Sequence, residues 1–263
     1  MSSVSLIVIA RDEAHDLPRC LASVPFAAEK IVVDSGSADR TREVAAEAGA
    51  RVIEHAFEGY GAQKAFAFAQ ASSEWVLSLD ADEALSPELA EEIPRALAST
   101  ACDGFLLRYR SEVAGKVLRF GGWGTEHHLR LFRRSKARIE PVVVHEGFRV
   151  DGKVGRLRAP VLHRPYADLS EWLRKLDLYA GLGAQERTRR GRRFYSLSGL
   201  RAPWGFFRRY VLRLGFLDGY PGYLAAALGA TYDMLKLAKQ RELELGPATA
   251  NSEPEIQRPS STG

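Results

Sequence analysis

The chain has 263 residues, 46% hydrophobic and 27% charged, which suits one large core or a core with a small subdomain and excludes a disordered polyampholyte. Two cysteines, Cys20 and Cys102, exclude a disulfide framework and lack CxxC metal spacing, so the expectation is a reducing compartment; Arg11, Asp12 and Glu13 straight after the apolar run from Val4 argue against a signal peptide. The net charge of +4 is unevenly divided: residues 1–100 carry 8 Lys/Arg against 17 Asp/Glu, and the remainder 29 against 16, so the second half suits an anionic partner.

In chain order, VSLIVIA (4–10) is a continuous β-branched run, the pattern of a strand buried on both faces. Leu17, Cys20, Leu21 and Val24 have helical spacing. KIVVD follows as a second strand ending in Asp34, and SGSADRT supplies a turn and a helix start. A helix closed by Gly49, a short strand RVIE, a helix over GAQKAFAFAQA and a strand WVLSLD come next. Ser86-Pro87 then opens a helix through Leu97, with proline in the favoured first turn. Four strand–helix alternations predict an α/β fold with a mostly parallel central sheet flanked by helices. From residue 103 the pattern turns strand-rich. GFLLRYR, GKVLRF, LRLFRR and a hairpin FRV-DG-KVGRL are expected as antiparallel additions to one edge of the sheet. A helical region begins near Ser170, and the polar, proline-containing segment 246–263 reads as a disordered tail. The division expected is a catalytic domain over 1–165 (halves 1–100 and 101–165), then a basic helical region over 166–245.

Ligands of open parallel sheets bind at the carboxyl ends of strands. The polar residues there are Arg11, Asp12 and Glu13, then Asp34 and Ser35, then Asp80, Asp82 and Glu83. Crowded carboxylates repel unless a cation or sugar hydroxyls satisfy them. In Leu79-Asp80-Ala81-Asp82-Glu83 one aspartate can bond a ribose while the other reaches a hard divalent cation that bridges two phosphates. Neither GxGxxG nor a Walker A loop follows the first strand, which excludes the common dinucleotide and P-loop readings.

The segments IVIARDEAHDLPRCLASV, IVVDSGSADRT, GYGAQKAFAFAQASSEWVLSLDADE, GGWGTEHHLRLFRRSKARI and VVHEGFRVDGKVGRL together resemble family 2 glycosyltransferases of the GT-A fold, and within them the lipopolysaccharide inner-core β-1,4-glucosyltransferase-like proteins. The resemblance runs from about Val4 to Ala238. It implies a nucleoside-diphosphate sugar donor, UDP-linked by expectation, a Mg²⁺ or Mn²⁺ cofactor and inversion at the anomeric carbon. Ala10, Arg11 and Glu13 would flank the nucleotide, Asp34 would bond the base, Asp80 the ribose or diphosphate, and Lys64 would face the diphosphate. Asp82 would bind the metal. The subgroup usually carries Asn after this lysine, where Ala65 stands here. Inverting transfer needs one general base, and Glu146 is the candidate; a structural His145-Glu146 pair is its alternative. His163 is either a further metal ligand or a hydrogen-bonded strand-end histidine. The loop Gly121–Gly124 with Trp123, followed by His127 and His128, either closes over the donor or is a surface loop; one of Arg130, Arg133 and Arg134 can reach phosphate.

Between Arg187 and Arg213 lie nine arginines and no acid, interleaved with Phe194, Tyr195, Trp204, Phe206, Phe207 and Tyr210. Such a segment suits single-stranded nucleic acid, an anionic lipid surface, or packing against the catalytic domain. Asp218, Pro221 and Asp233 interrupt the apolar stretch that follows. The expectation is therefore peripheral attachment to the inner face of the cytoplasmic membrane, with a lipid-linked saccharide acceptor and no nucleic acid partner. QxxRW is absent, which favours addition of a single sugar. The rivals are a polyprenyl-phosphate glycosyltransferase and a non-catalytic nucleotide-sugar-binding protein.

Overall fold

A computed structural model describes residues 2–139, 147–194 and 196–246. The strands β1 (Val4–Ala10), β2 (Glu29–Asp34), β3 (Arg51–Glu54) and β4 (Trp75–Asp80) lie parallel in the order β3-β2-β1-β4. Helices α1 (Leu17–Ala22), α2 (Thr41–Glu47) and α3 (Tyr60–Ala69) make the returns. Side chains alternate across a strand, so Leu6 and Val8 of β1 enter one core with Val32, Leu77 and Leu79. Ile7 enters the other with Ile31, Val33 and Val76. Burial on both faces is the reason these strands are apolar without alternation. The chain builds outward from β1 through β2 to β3, then crosses to β4 on the other side. The switch in strand order thus falls between β1 and β4, where a crevice opens at the carboxyl ends. Ala10 stands opposite Asp34, and Ile9 opposite Asp80.

The remaining elements are β5 (Glu83–Leu85), α4 (Pro87–Ala98), β6 (Gly104–Val113), β7 (Lys116–Val117), β8 (His127–Arg133), β9 (Ala137–Ile139), β10 (Phe148–Val150) and β11 (Val154–His163). The sheet continues from β4 through β8, β6 and β11 to β5, with β8 antiparallel to both neighbours. The sheet curls, so β5, which follows β4 directly in sequence, pairs with the far strand β11 and sets Glu83 opposite His163. Three expectations for this half are corrected. The hairpin at Asp151-Gly152 does not form, because β10 pairs with β9 while β11 runs parallel to β6. Asp103 holds the turn instead, accepting from Lys153 N (3.2 Å) while its own N–H donates to Lys153 O (2.7 Å). A Cβ at Gly152 would lie 2.1 Å from the Asp103 carboxylate, so the close approach requires glycine. The strand over GKVLRF is confined to Lys116–Val117, and the additions are not uniformly antiparallel, since β11 is parallel to β6.

Helix α4 starts at Ser86, whose hydroxyl accepts from Leu89 N (3.2 Å), with Pro87 in the first turn. Helix α5 (Leu169–Arg189) starts at Asp168, whose carboxylate accepts from Glu171 N (2.7 Å). It packs along α7 (Tyr220–Leu245) through the buried Ala180 and Ala184, with α6 (Arg201–Phe207) and a π-type turn (Arg208–Leu212) between them in sequence. A small third core of Val113, Leu118, Trp172 and Ala225 joins these helices to β6. Among the described residues no helix is long and apolar enough to cross a membrane. The expected tail falls, from residue 247 on, outside the described residues.

Candidate active site

The crevice is assembled by two loops tied edge to edge. Asp12 N donates to Ser37 Oγ (2.9 Å), Glu13 N to Thr41 Oγ1 (2.8 Å), Ala14 N to Asp39 Oδ2 (3.0 Å), and Ala38 N to Asp12 Oδ1 (2.7 Å). Asp12 adopts a left-handed φ of 57° to do so, a conformation that aspartate tolerates better than most side chains. The Ala10 carbonyl accepts from Ser35 N (3.0 Å), and Arg11 is exposed at the rim. Asp34 is fully buried, and its carboxylate accepts from Gly36 N (3.1 Å), Ser37 N (3.0 Å) and the Ser37 hydroxyl. It holds its own loop in this structure, with Oδ2 accepting twice and Oδ1 once, which leaves acceptor capacity on Oδ1.

Helix α3 fixes the next cation. Gln63, fully buried, donates to Ser35 Oγ (2.8 Å) and His55 O (3.1 Å), which locks the helix to the ends of β2 and β3. Lys64 beside it then reaches Asp80, with Nζ 3.0 Å from Oδ1. On the other side Arg130 of β8 donates from Nη2 to Asp80 Oδ2 (2.7 Å) and to Glu83 Oε1 (2.8 Å), and from Nε to the Tyr109 hydroxyl (2.7 Å). Burial works against the Asp80 charge, but Arg130 and Lys64 outweigh it and hold the carboxyl well below the usual range. Glu83 goes the other way. Its burial, with the Asp80 charge adding to it, pushes the carboxyl up to about 7 despite Arg130. Glu83 also accepts from Asp80 N through Oε2 (2.9 Å), so it braces the turn that presents Asp82.

Asp82 and His163 meet because β5 lies against β11. His163 Nε2 is 3.6 Å from Asp82 Oδ2, and its Nδ1 is 3.2 Å from Ser111 Oγ. Burial disfavours the imidazolium, but Asp82 and Glu83 together raise the His163 pKa. Asp82, Glu83 and His163 each offer one ligand atom within 4.8 Å of the others. Two hard carboxylates with one borderline imidazole form a donor set that fits Mn²⁺ better than Mg²⁺. Both Glu83 oxygens are already engaged, which leaves Asp82 and His163 as the better-placed ligands. Glu13 completes the rim; burial, then the Asp82 charge, raise its pKa to about 7, with Lys175 opposing. Lys175 Nζ is 4.0 Å from Asp82 Oδ2 and 2.8 Å from Glu171 Oε1.

The structure therefore gathers Glu13, Lys64, Asp80, Asp82 and His163, keeps Ala10 and Asp34 in the walls, and leaves Arg11 outside. Glu146 lies outside the described residues. Sequence reasoning left Arg130 as one of three equal arginines and gave Lys175 no role. Strand alternation gave no signal for Arg130, because β8 bulges there: Leu129 pairs with Leu106 and Leu131 with Phe105, so Arg130 stands outside the regular register. Lys175 had only its i,i+4 spacing from Glu171. His128, pushed down to about 4 by burial with Arg130 beside it, is a neutral neighbour packed edge-on to Tyr109 (4.8 Å). Trp123 packs against the third core.

Comparison with known proteins gives a consistent picture. The family described as glycosyl transferase family 2 matches residues 5–149, just over half the chain. A lipopolysaccharide core biosynthesis glycosyltransferase, LpsC, of Rhizobium meliloti is 33% identical over 90% of this chain and 91% of its own. An uncharacterized glycosyltransferase of Rickettsia bellii is 29% identical over 95% of this chain and 90% of its own. Among solved structures, glucosyl-3-phosphoglycerate synthase from Mycobacterium tuberculosis in complex with Mn²⁺, UDP and phosphoglyceric acid covers 72% of this chain and 78% of its own, at 18% identity and a TM-score of 0.47.

Proposed function

The chain belongs to glycosyl transferase family 2, and on that premise we propose that it moves a single sugar from a UDP-linked donor to a lipid-linked saccharide such as a lipopolysaccharide core, inverting the anomeric centre. The observation that carries this reading is the pairing of Lys64 and Arg130 on Asp80 beside Asp82 and His163, at the switch point of the sheet. A diphosphate placed there meets two fixed cations whose present partner is a carboxylate. Asp82 and His163 would hold Mg²⁺ or Mn²⁺, which when bound supplies positive charge to the diphosphate leaving group. In the transfer an acceptor hydroxyl forms a bond to the anomeric carbon while the bond from that carbon to the diphosphate oxygen breaks. The electron pair leaves with the diphosphate, and the hydroxyl proton passes to a base, for which Glu146 remains the candidate on sequence alone. Lys64 and Arg130 stabilise the charge that grows on the leaving group, and as fixed donors they need little reorganisation as it develops.

The acceptor class rests on the name of the Rhizobium meliloti relative and on the surface of the C-terminal region. Trp204, Phe207, Leu212, Phe216, Leu217 and Tyr220 are exposed there with Arg201 and Arg208 between them, a combination suited to lying in the headgroup layer of an anionic membrane, at the cytoplasmic face where nucleotide sugars reside. The test is release of UDP from a panel of UDP-sugars with Mn²⁺, with and without EDTA. The expected result is EDTA-sensitive release accelerated by a lipopolysaccharide-core acceptor. Absence of binding to every nucleotide sugar, measured calorimetrically, would leave the fold without this activity.

A further inference from the structure

A second cavity lies apart from the carboxylate cluster, between the loop at Gly121–Trp123, helix α5, the turn Arg208–Leu212 and helix α7. It has a volume of about 430 Å³ and is lined by Trp123, Tyr166, Trp172, Tyr179 and Tyr232 together with Arg209, Arg213 and Glu126. Tyr166 and Trp172 are stacked, with ring centroids 4.5 Å apart and planes 10° from parallel. The aromatic walls suit the flat apolar faces of a sugar ring.

The two arginines occupy space that glycines leave open. A Cβ at Gly122 would stand 2.7 Å from Arg213 Nη1, and one at Gly229 would stand 3.1 Å from Arg209 Nε. A Cβ at Gly205 would likewise meet Arg209 Nη1 at 2.7 Å. Gly205 and Gly229 sit inside helices, where glycine costs about 1 kcal/mol relative to alanine; what the missing methyl groups allow is the lie of the Arg209 guanidinium. Charge is not balanced here. Arg209 donates both Nη groups to Asp233 Oδ2 (3.1 and 3.0 Å), while Lys236 shares the same carboxylate through Oδ1 (3.3 Å). Among the described residues Arg213 meets no acid at ion-pair distance. Glu126 lines the cavity with a carboxylate of its own, so Arg209, Arg213 and Lys236 stand against Asp233 and Glu126, three cations to two acids. Burial lowers the Lys236 pKa, and Arg187 and Arg209 add to that effect although Asp233 opposes it.

One side chain, Lys175, links the wall of the cavity to the donor crevice. The Tyr166 ring lies 5.8 Å from Lys175 Nζ, and Lys175 Nζ lies 4.0 Å from Asp82 Oδ2. We propose that this cavity is the acceptor subsite and that it takes a sugar bearing an anionic group, phosphate or carboxylate, with Arg213 and Arg209 on the anion and the aromatic rings against the sugar. The inference rests on the transferase reading above. A neutral saccharide leaves Arg213 to solvent at the cavity mouth, whereas an anionic group on the acceptor gains the charge-assisted pair, which is the basis of the selectivity.

The experiment is titration of the full chain, by calorimetry at low salt, with mannose, mannose 6-phosphate, glucuronate and inorganic phosphate. In parallel, UDP with Mn²⁺ is titrated into the wild type. Mannose 6-phosphate or glucuronate should bind at least about tenfold more tightly than mannose, through a charge-assisted pair, and more tightly than inorganic phosphate, which lacks the ring. The two anionic sugars tell phosphate from carboxylate preference. Arg213→Gln should bring the anionic sugar to the level of mannose, and Gly229→Ala, which helix propensity favours, should weaken it several-fold by displacing Arg209; melting curves check that both variants fold. Equal binding of mannose and its anionic relatives, no binding by either anionic sugar, or full retention in folded Arg213→Gln would overturn the proposal. If UDP binds and the anionic sugars do not, only the subsite is lost; if the sugars bind and UDP does not, the transferase reading fails while the cavity remains an anionic-sugar site.

Discussion

The acidic first hundred residues and the basic helical region after residue 166 use apolar side chains in opposite ways. Among the described residues, only Phe57 and Tyr60 of the exposed large hydrophobics belong to the first hundred, whereas eighteen fall between Leu169 and Leu245. In the first region a sheet covered on both faces absorbs nearly all the apolar surface, and the polar residues concentrate at the strand ends, where the chemistry is. In the second, helices bury a narrow seam of Ala180, Ala184, Ala225 and Ala226 and turn Trp204, Phe207 and Phe216 outward among arginines. On the function proposed above, the contrast would separate a site for the donor from a surface for whatever carries the acceptor, and each of the two can be broken separately.

The largest effect is expected at Asp82. Asp82→Asn removes the charge that faces His163 and should reduce UDP release to background while leaving the melting temperature within a few degrees, because Asp82 lies in a turn and not in a core. A variant that retains wild-type release in EDTA would remove the metal from the account. Glu146→Gln comes next, with an expected loss of about 10² to 10⁴ in rate, the range for a positioned acid or base, and little change in UDP affinity. A loss confined to UDP affinity would move Glu146 from the chemistry to the donor site.

The second region is tested by vesicle co-sedimentation. Arg209 is held by Asp233 and lines the cavity, so the surface charges to neutralise are Arg193, Arg201 and Arg208. Each is worth about 1 kcal/mol near an anionic surface, and removing three should weaken binding to phosphatidylserine vesicles by roughly two decades. Salt should weaken wild-type binding in the same direction. Wild-type protein that stays in the supernatant at low salt would make the region a packed subdomain.

What was legible in the sequence follows the same division. The four parallel strands could be read because burial on both faces leaves unbroken runs such as VSLIVIA and WVLSLD, and the strand-end position of Asp80 and Asp82 followed from that order. The second half was less legible because its pairing depends on contacts distant in sequence. Asp151-Gly152 has the composition of a hairpin turn, yet Asp103, far back in the chain, takes its hydrogen bonds and β11 goes to β6. For the same reason no residue pattern dictates the contact between His163 and Asp82, which depends on β5 crossing to β11. No spacing marks Arg130 as the cation shared by Asp80 and Glu83, since its partners are 50 and 47 residues away.

The smallest predicted effect concerns the protons of the cluster. Glu13 keeps its proton up to about pH 7 in the folded protein, against 4.5 for an ordinary glutamate. Between those values the folded state holds a proton that the unfolded chain has released, so the free energy of unfolding falls as pH rises through the window. Glu83, also raised to about 7, acts with the same sign. Asp80 acts with the opposite sign, but its contribution is complete once the pH is above its unfolded value of 3.8, and so it adds no slope here. A shift of this size corresponds to about 3 kcal/mol at 1.36 kcal/mol per unit, and solvent near the half-open Glu13 reduces it to the order of 1 kcal/mol. Urea unfolding of wild type and Glu13→Gln at pH 5, 6, 7 and 8 isolates that part, because Glu83 and His163 titrate in both proteins and cancel in the difference. Glu13→Gln should lose less stability between pH 5 and 7 than wild type does. Parallel curves would mean that Glu13 titrates as an exposed carboxylate, and that the rim of the crevice is open to water rather than closed around its carboxylates.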